Sequence, residues 1–453
     1  MMAMAVKKDL VMTEGTIWKK LVLFAIPLLI GNAFQQLYNT VDSLVVGNFV
    51  GKEALAAVGC TDSVISTVIG FFVGLSSGAG VVISQYFGAK DHESLQKAVH
   101  TTIIMTFYMS IIVTILGIIM VPTLLRVAGT AEEVMPEAIT YLRIYFYGII
   151  GVMFYNMGAG ILRAVGDSKR PLYFLIFSAI VNIVLDLVFV ICFHWGVAGV
   201  AYATTISQIL SAILILITLT KEKGPYRVIW SKLQISSSML STIIKVGLPS
   251  GIQMAITAFS NVFVKSYIFA FGADCMAGWS AYAILEKFCM LPIQSIALAI
   301  TTFVGQNIGA RQIERAQKGI WVAVGMSLMT TITFMIPLVI FAPTLVSFIN
   351  QETEVIHYGA LFMRFMLPFY VLCCGCDTLA GAMRGAGATR ATMIILMGSF
   401  VVFRQIYMLV ISRVMNTVVL VSWGYPAGWL ICVIAFLIYY RYSHWEKHCI
   451  VET

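Results

Sequence analysis

Apolar stretches of about 20 residues, the length that crosses a bilayer as a helix, recur along the whole chain. They centre near residues 28, 70, 110, 150, 182, 208, 254, 290, 330, 368, 402 and 432. No polar segment between them is long enough to make a soluble domain. The pattern predicts an all-α polytopic membrane protein with twelve transmembrane helices. Composition agrees: of 453 residues, 60% are hydrophobic and 11% charged, whereas soluble domains are about a quarter charged. The basic N-terminus has no small-residue cleavage site after a short apolar run. The first stretch therefore reads as a retained span, not a signal peptide.

Charge orients the spans. A net charge of +8 would suit nucleic acid or an anionic membrane surface, and its distribution decides for the membrane. Lys7, Lys8, Lys19 and Lys20 precede span 1. Lys90 and Lys97 follow span 2, Arg163, Lys169 and Arg170 follow span 4, and Lys221, Lys223, Arg227 and Lys232 follow span 6. Arg311, Arg315 and Lys318 follow span 8, Arg384 and Arg390 follow span 10, and Arg441 and Lys447 follow span 12. With twelve spans, all of these lie on one side. The opposite loops hold Lys52, Arg126 and Arg413 against Glu132, Glu133, Glu352 and Glu354. The positive-inside rule then puts both termini in the cytoplasm. A wrong span count would scatter these charges.

The chain also repeats itself. "QYFGAKDHESLQKA" from Gln85 matches "QNIGARQIERAQKG" from Gln306, "LRAVGDSKRP" from Leu162 matches "MRGAGATRAT" from Met383, and Pro27 matches Pro249. The offsets are 221, 221 and 222, so six spans are duplicated. An even number of spans makes the repeats parallel, with an axis along the membrane normal and a central cavity between lobes. The expected organisation is a six-helix lobe over residues 13–220, a cytoplasmic linker over 221–238 and a second six-helix lobe over 239–445. Pro27 and Pro249 each interrupt the first span of a lobe, as a static bend or as a working hinge.

Polar side chains inside the spans carry the chemistry. Unsatisfied polar groups in lipid cost several kcal/mol, so such residues cluster inward. Asp42 lies nine residues before the outer turn at Gly51, Asp186 nine before the turn at Trp195, and Thr204 nine after it. All three fall about 13 Å below the outer face at 1.5 Å per residue. Asn182 is one turn from Asp186 on the same helix face. Asp42, Asn182, Asp186 and Thr204 are therefore expected to form one polar cluster. Such a cluster can bind a hard monovalent cation. Alternatively it can hold a proton near neutral pH, because burial and mutual repulsion both favour a neutral carboxyl. A network that merely pins helices is the weaker reading, since two buried carboxylates without an intraspan cation are expensive scaffolding.

The second lobe departs from this pattern. Asp42 maps near Val264 and Lys265, Asn182 onto Phe403 and Asp186 onto Tyr407. Asn156 maps onto Asp377, and Glu286 adjoins Lys287 in span 8. Glu286, Asp377, Lys265 and Arg404 are expected to pair across the lobe as structural ion pairs rather than to contact substrate.

Other motifs add little. "GLSSG" at Gly74 fits a nucleophile elbow but lies within a helix, and catalysis is not expected. "CCGC" (Cys373, Cys374, Cys376) and "HWEKHC" at His444 read as helix packing and a helix end at the membrane surface rather than as metal sites. The absence of a GxxxxGK[ST] loop disfavours ATP as a direct energy source.

"QQLYNTVDSLVVGNFVGKEALAAVG", "SQYFGAKD", "ILRAVGDSKRP" and "TTFVGQNIGAR", taken in order, resemble the multidrug and toxic compound extrusion (MATE) transporters, most closely a DinF-like bacterial branch. The resemblance spans residues 13–445. It implies a two-lobe exporter of amphipathic, often cationic, organic compounds. Such an exporter is driven by H+ or Na+ through alternating access and has no other cofactor. It also implies cation binding in the first lobe, at Asp42, Asn156, Asn182, Asp186 and Thr204, and bending at Pro27. Gln35, Tyr38 and Tyr141 fall where polar and aromatic residues line that lobe. Asp377 departs from the branch, where a neutral residue is expected. Small organic substrates and membrane lipid are the expected partners of a monomer; nucleic acid is not. The alternative function is a lipid-linked oligosaccharide flippase, with Arg404 and Lys265 holding its pyrophosphate.

Overall fold

The computed structural model describes residues 11–451; Lys7 and Lys8, counted above among the cytoplasmic cations, lie outside the described residues. The first repeat comprises α1 (Ile17–Val45), α2 (Lys52–Ala89), α3 (His92–Val127), α4 (Met135–Tyr147), α5 (Ile149–Ala164), α6 (Lys169–Leu187) and α7 (Gly196–Lys221). The second comprises α8 (Ser237–Phe269), α9 (Ala273–Gly309), α10 (Ile313–Ile340), α11 (Ala342–Ser347), α12 (Thr353–Met366) and α13 (Tyr370–Gly385). It continues with α14 (Thr389–Met397), α15 (Arg404–Val414), α16 (Val418–Ser422) and α17 (Gly424–Tyr442). Among the described residues there is no strand.

Among the described residues, eleven helices are long and apolar enough to cross a membrane, and α4 with α5, bent by 50° at their junction and counted as one span, bring the number to twelve. The bend has a local cause. A Cβ on Gly148 would come within 2.1 Å of the Thr205 methyl, so only glycine lets α7 approach here. The Thr205 hydroxyl donates to the Ile144 carbonyl at 3.4 Å, engaging a carbonyl next to the break. The second repeat breaks at the corresponding place by other means: a 3₁₀ turn at Leu367–Phe369, with Pro368 inside it, joins α12 to α13. Lipid-facing surface is visible along α3, where Ile112, Ile115 and Ile119 are exposed.

Packing divides the chain into two compact units, and the division does not follow the repeat. One unit holds Ile30–Ala255; the other holds Thr13–Leu29 and the chain from Ile256 onward. The expected lobes thus exchange the N-terminal parts of α1 and α8. The reason for α8 is a close glycine contact inside the first unit. A Cβ on Gly78 of α2 would lie 2.1 Å from the Gly247 Cα, and one on Gly74 would lie 2.5 Å from the Ser250 carbonyl. Glycines four apart on both helices let the backbones touch, as in membrane GxxxG pairs. At the start of α1, Arg315 Nη2 donates to the Gly15 carbonyl at 2.8 Å within the other unit.

The linker is tied down rather than loose. Ile229 N–H donates to His100 Nε2 at 3.2 Å and Ser236 N–H to Thr101 Oγ1 at 3.2 Å. Arg170 reaches Glu222 at 2.6 Å and the Tyr226 hydroxyl at 3.1 Å, and also pairs with Asp167.

Candidate functional site: an acid pair in the first unit

Three helices of the first unit supply the polar cluster. Asp42 lies near the end of α1, Asn182 and Asp186 on α6, and Thr204 on α7. π-helical turns at Val46–Val50 and Val188–Cys192 follow the two acids directly; such turns widen a helix and recur at functional sites. The four residues predicted to share a depth do meet. The Asp42 and Asp186 carboxyl groups are close neighbours, and Asn182 Nδ2 donates to Thr204 Oγ1 at 3.5 Å. Asp186 and Asn182 are 0% and 1% exposed.

The cluster is rich in acceptors and poor in donors. Asp42 Oδ1, Asn182 Oδ1 and both Asp186 oxygens are buried without a hydrogen-bond partner. Four orphaned oxygens on neighbouring buried side chains are costly unless a proton or a cation satisfies them. Among the described residues, the ion pairs formed elsewhere in the protein leave both acids out. An apolar cluster of Val45, Val46, Val190, Val197, Val200 and Ala201, with Tyr141 and Ile144, caps the acids one turn further along each helix. It excludes water from that end and raises the strength of any charge interaction beneath it.

The resemblance-derived residues divide. Tyr38 is buried, with Asp42, Gln35 and Gln208 as neighbours. Tyr141 lies within electrostatic reach of both acids. Gln35 is exposed. Asn156 is not joined to the cluster by a hydrogen bond: its Nδ2 donates to the Val152 carbonyl at 2.8 Å, and its own carbonyl accepts from Ser76 Oγ at 2.9 Å. Pro27 lies inside a continuous α1, just before the point at which the helix passes from one compact unit to the other. Gln208 was missed by sequence reasoning, although it lies one turn from Thr204 on the same face.

The expected ion pairs of the second lobe do not form. Among the described residues, no salt bridge joins Glu286, Asp377, Lys265 and Arg404. Arg404 is buried against two neutral partners, with Nη2 donating to Asn261 Oδ1 at 2.6 Å and the guanidinium 4.9 Å from the Tyr425 ring centroid. Asp377 has Arg384, two turns along its own helix, as its charged neighbour, and Glu286 has Lys265 and Lys287 at longer range. Glu286 also neighbours Tyr370, whose hydroxyl lies 3.0 Å from that of Tyr282. Asn261 is the second residue missed; the signal was its place one turn before Lys265.

Two six-span repeats, an inward polar cluster and lipid-facing apolar surfaces define a membrane transporter rather than an enzyme. The MatE family model matches residues 27–188 and again residues 249–410, an offset of 249 − 27 = 222 that coincides with the internal repeat. The chain belongs to the MatE family. It is 30% identical over 435 residues to a probable multidrug resistance protein, YpnP, of Bacillus subtilis, covering 96% of this chain and 97% of that one. A second probable multidrug resistance protein of that organism, YoeA, is 28% identical over 443 residues, with 96% of each chain covered. Among solved structures, an outward-facing multidrug resistance MATE family transporter of the MOP superfamily superposes with a TM-score of 0.90 at 25% identity, over 98% of this chain and 100% of that chain. These relatives favour the exporter reading over the flippase.

Proposed function

We propose that the protein is a secondary active exporter in which Asp42 and Asp186 bind the coupling ion, H+ or Na+, and that it antiports amphipathic organic compounds by alternating access. The observation that carries this reading is the pair of adjacent buried carboxyl groups with four orphaned acceptor oxygens around them. Such a set suits one proton or one small hard cation and no bulky organic cation. Asn182 and Thr204 supply neutral oxygens to the same place, and Tyr38 and Tyr141 wall it. Binding biases one conformation only where the affinity differs between states. Pro27, where α1 leaves one compact unit for the other, is suited to be the hinge that makes that difference. Asn156 contributes by holding α5 to α2 through Ser76 rather than as a ligand. The same reading puts both termini in the cytoplasm and the protein in a bacterial cell membrane as a monomer.

The test is dye efflux from proteoliposomes with proton and sodium gradients imposed separately. Coupling predicts that one gradient drives efflux in the wild type and neither does in Asp42→Asn or Asp186→Asn, both still folded in the membrane. Wild-type rates in both variants would overturn the assignment.

A further inference from the structure

The repeat places three residues of the second unit at positions in or beside the first unit's polar cluster. With offsets of 221 and 222, Thr204 falls on Tyr425, Asn39 on Asn261, and Ile183, next to Asn182, on Arg404. Arg404, Asn261 and Tyr425 are the three residues found in contact there. Arg404 is 4% exposed, and its Nε is buried without a hydrogen-bond partner. It starts α15 directly after a π-helical segment, Gly398–Phe403. The Arg404 site thus coincides with the first unit's cluster at Thr204 alone, while Asp42 and Asp186 fall nearby on Val264 and Tyr407; both sites adjoin π-helical backbone, and their charges are opposite.

A guanidinium stays charged even when buried, and a buried charge without a counter-ion costs several kcal/mol. A role in pinning helices does not account for it. Gln405, the next residue, already ties α15 to α8 through two bonds from Nε2, to the Ser260 carbonyl at 3.1 Å and to Ser260 Oγ at 2.9 Å. The Tyr425 ring lies against the guanidinium face and Asn261 uses one donor at its rim, leaving Nε–H for a planar acceptor. A carboxylate oxygen matches that charge-assisted donor, and the Asn261 amide adds a second donor beside it.

We propose that Arg404, Asn261 and Tyr425 form a recognition site for an anionic group, the carboxylate of an organic substrate, so that zwitterions with an apolar cationic body belong to the substrate class. This deepens the exporter reading and rests on it. In this conformation the guanidinium is covered, so the site opens when α8 and α17 part around it.

The experiment compares binding of two dyes that differ only in the carboxyl group, rhodamine 110 and its methyl ester rhodamine 123, to the purified full-length protein by fluorescence anisotropy. The wild type is expected to bind the free carboxylate at least about tenfold more tightly than the ester, the range of a charge-assisted hydrogen bond. Arg404→Gln removes that preference. Asn261→Asp, which keeps the arginine but places a carboxylate against it, removes it as well, with no fall in the unfolding temperature. Equal affinity for the two dyes in the wild type, no binding of the carboxylate dye, or a preference that survives Asn261→Asp overturns the proposal. So does Arg404-dependent binding of short-chain phosphatidylglycerol in place of the dye, which would make this a lipid site. Binding needs no ion gradient, so loss of the preference is separable from failure of the coupling assignment.

Discussion

Asp186 and Arg404 lie within about one helical turn of the same register in two copies of one six-span unit, each buried and each beside a π-helical segment. The first has a second acid as its neighbour; the second has an amide and an aromatic ring. Features that shape the helices have been kept in both copies: Pro27 and Pro249 within the first helices, and a broken fourth span in each. The polar residues have not been kept. Duplication preserved the packing and freed the chemistry, and the account assigns the driving ion to the acidic copy and the substrate's anionic end to the basic copy.

Breaking the acidic side should have the largest effect. Asp42→Asn and Asp186→Asn are each expected to lower gradient-driven dye efflux to the rate of empty liposomes, at least about a hundredfold, while gel-filtration profile and helical content stay unchanged. Removal of one charge from a buried pair that must bind a cation costs about 3–5 kcal/mol. Thr204→Val removes only a neutral oxygen and leaves Asn182 Nδ2 without its acceptor. It should weaken the apparent affinity for the driving ion about tenfold, with less effect on the maximal rate, as read from efflux against ion concentration; one neutral hydrogen bond is worth about 0.5–1.5 kcal/mol. Asp377→Asn probes the copy without an acid pair and should change coupling by less than about threefold, within the range of one weakened charge interaction. Complete loss of coupling in a folded Asp377→Asn protein would move the ion site to the second unit.

The smallest effect concerns the linker, which belongs to neither site. Burial raises the pKa of Glu222, but hydrogen bonds from Arg170 and from the Lys223 N–H outweigh it and hold the carboxyl below its ordinary value of 4.5. A depressed acid contributes stability that is fully present above its unfolded pKa and is lost as pH falls through the folded one. Glu222→Gln should therefore lower stability by about 0.5–1 kcal/mol at pH 7. That difference should vanish on acidification below pH 4.5, as followed by thermal unfolding in detergent.

Most of the architecture was legible because membrane solvation leaves few options: apolar length gives spans, and the internal repeat gives their division into two sets of six. The register of Asp42, Asp186 and Thr204 was legible because a helix rises uniformly from a turn. Other features were hidden because they depend on contact between helices. The exchange of α1 and α8 between compact units follows from glycines that let backbones touch, and a glycine in sequence does not say which helix it faces. The second-lobe ion pairs were expected from opposite charges at nearby depths, yet depth does not give the angle about the helix axis. Arg404 turns to Asn261 and Tyr425, while Asp377 lies on the helix that carries Arg384.

The measurement that bears most directly on the acidic copy as the seat of coupling is efflux of rhodamine 123 from proteoliposomes holding wild type, Asp186→Asn or Arg404→Gln, with the proton and sodium gradients imposed one at a time. The account predicts that a single gradient drives the ester out of wild-type and Arg404→Gln vesicles alike and that neither gradient does so in Asp186→Asn. Efflux in Asp186→Asn that still follows the gradient at the wild-type rate would contradict it.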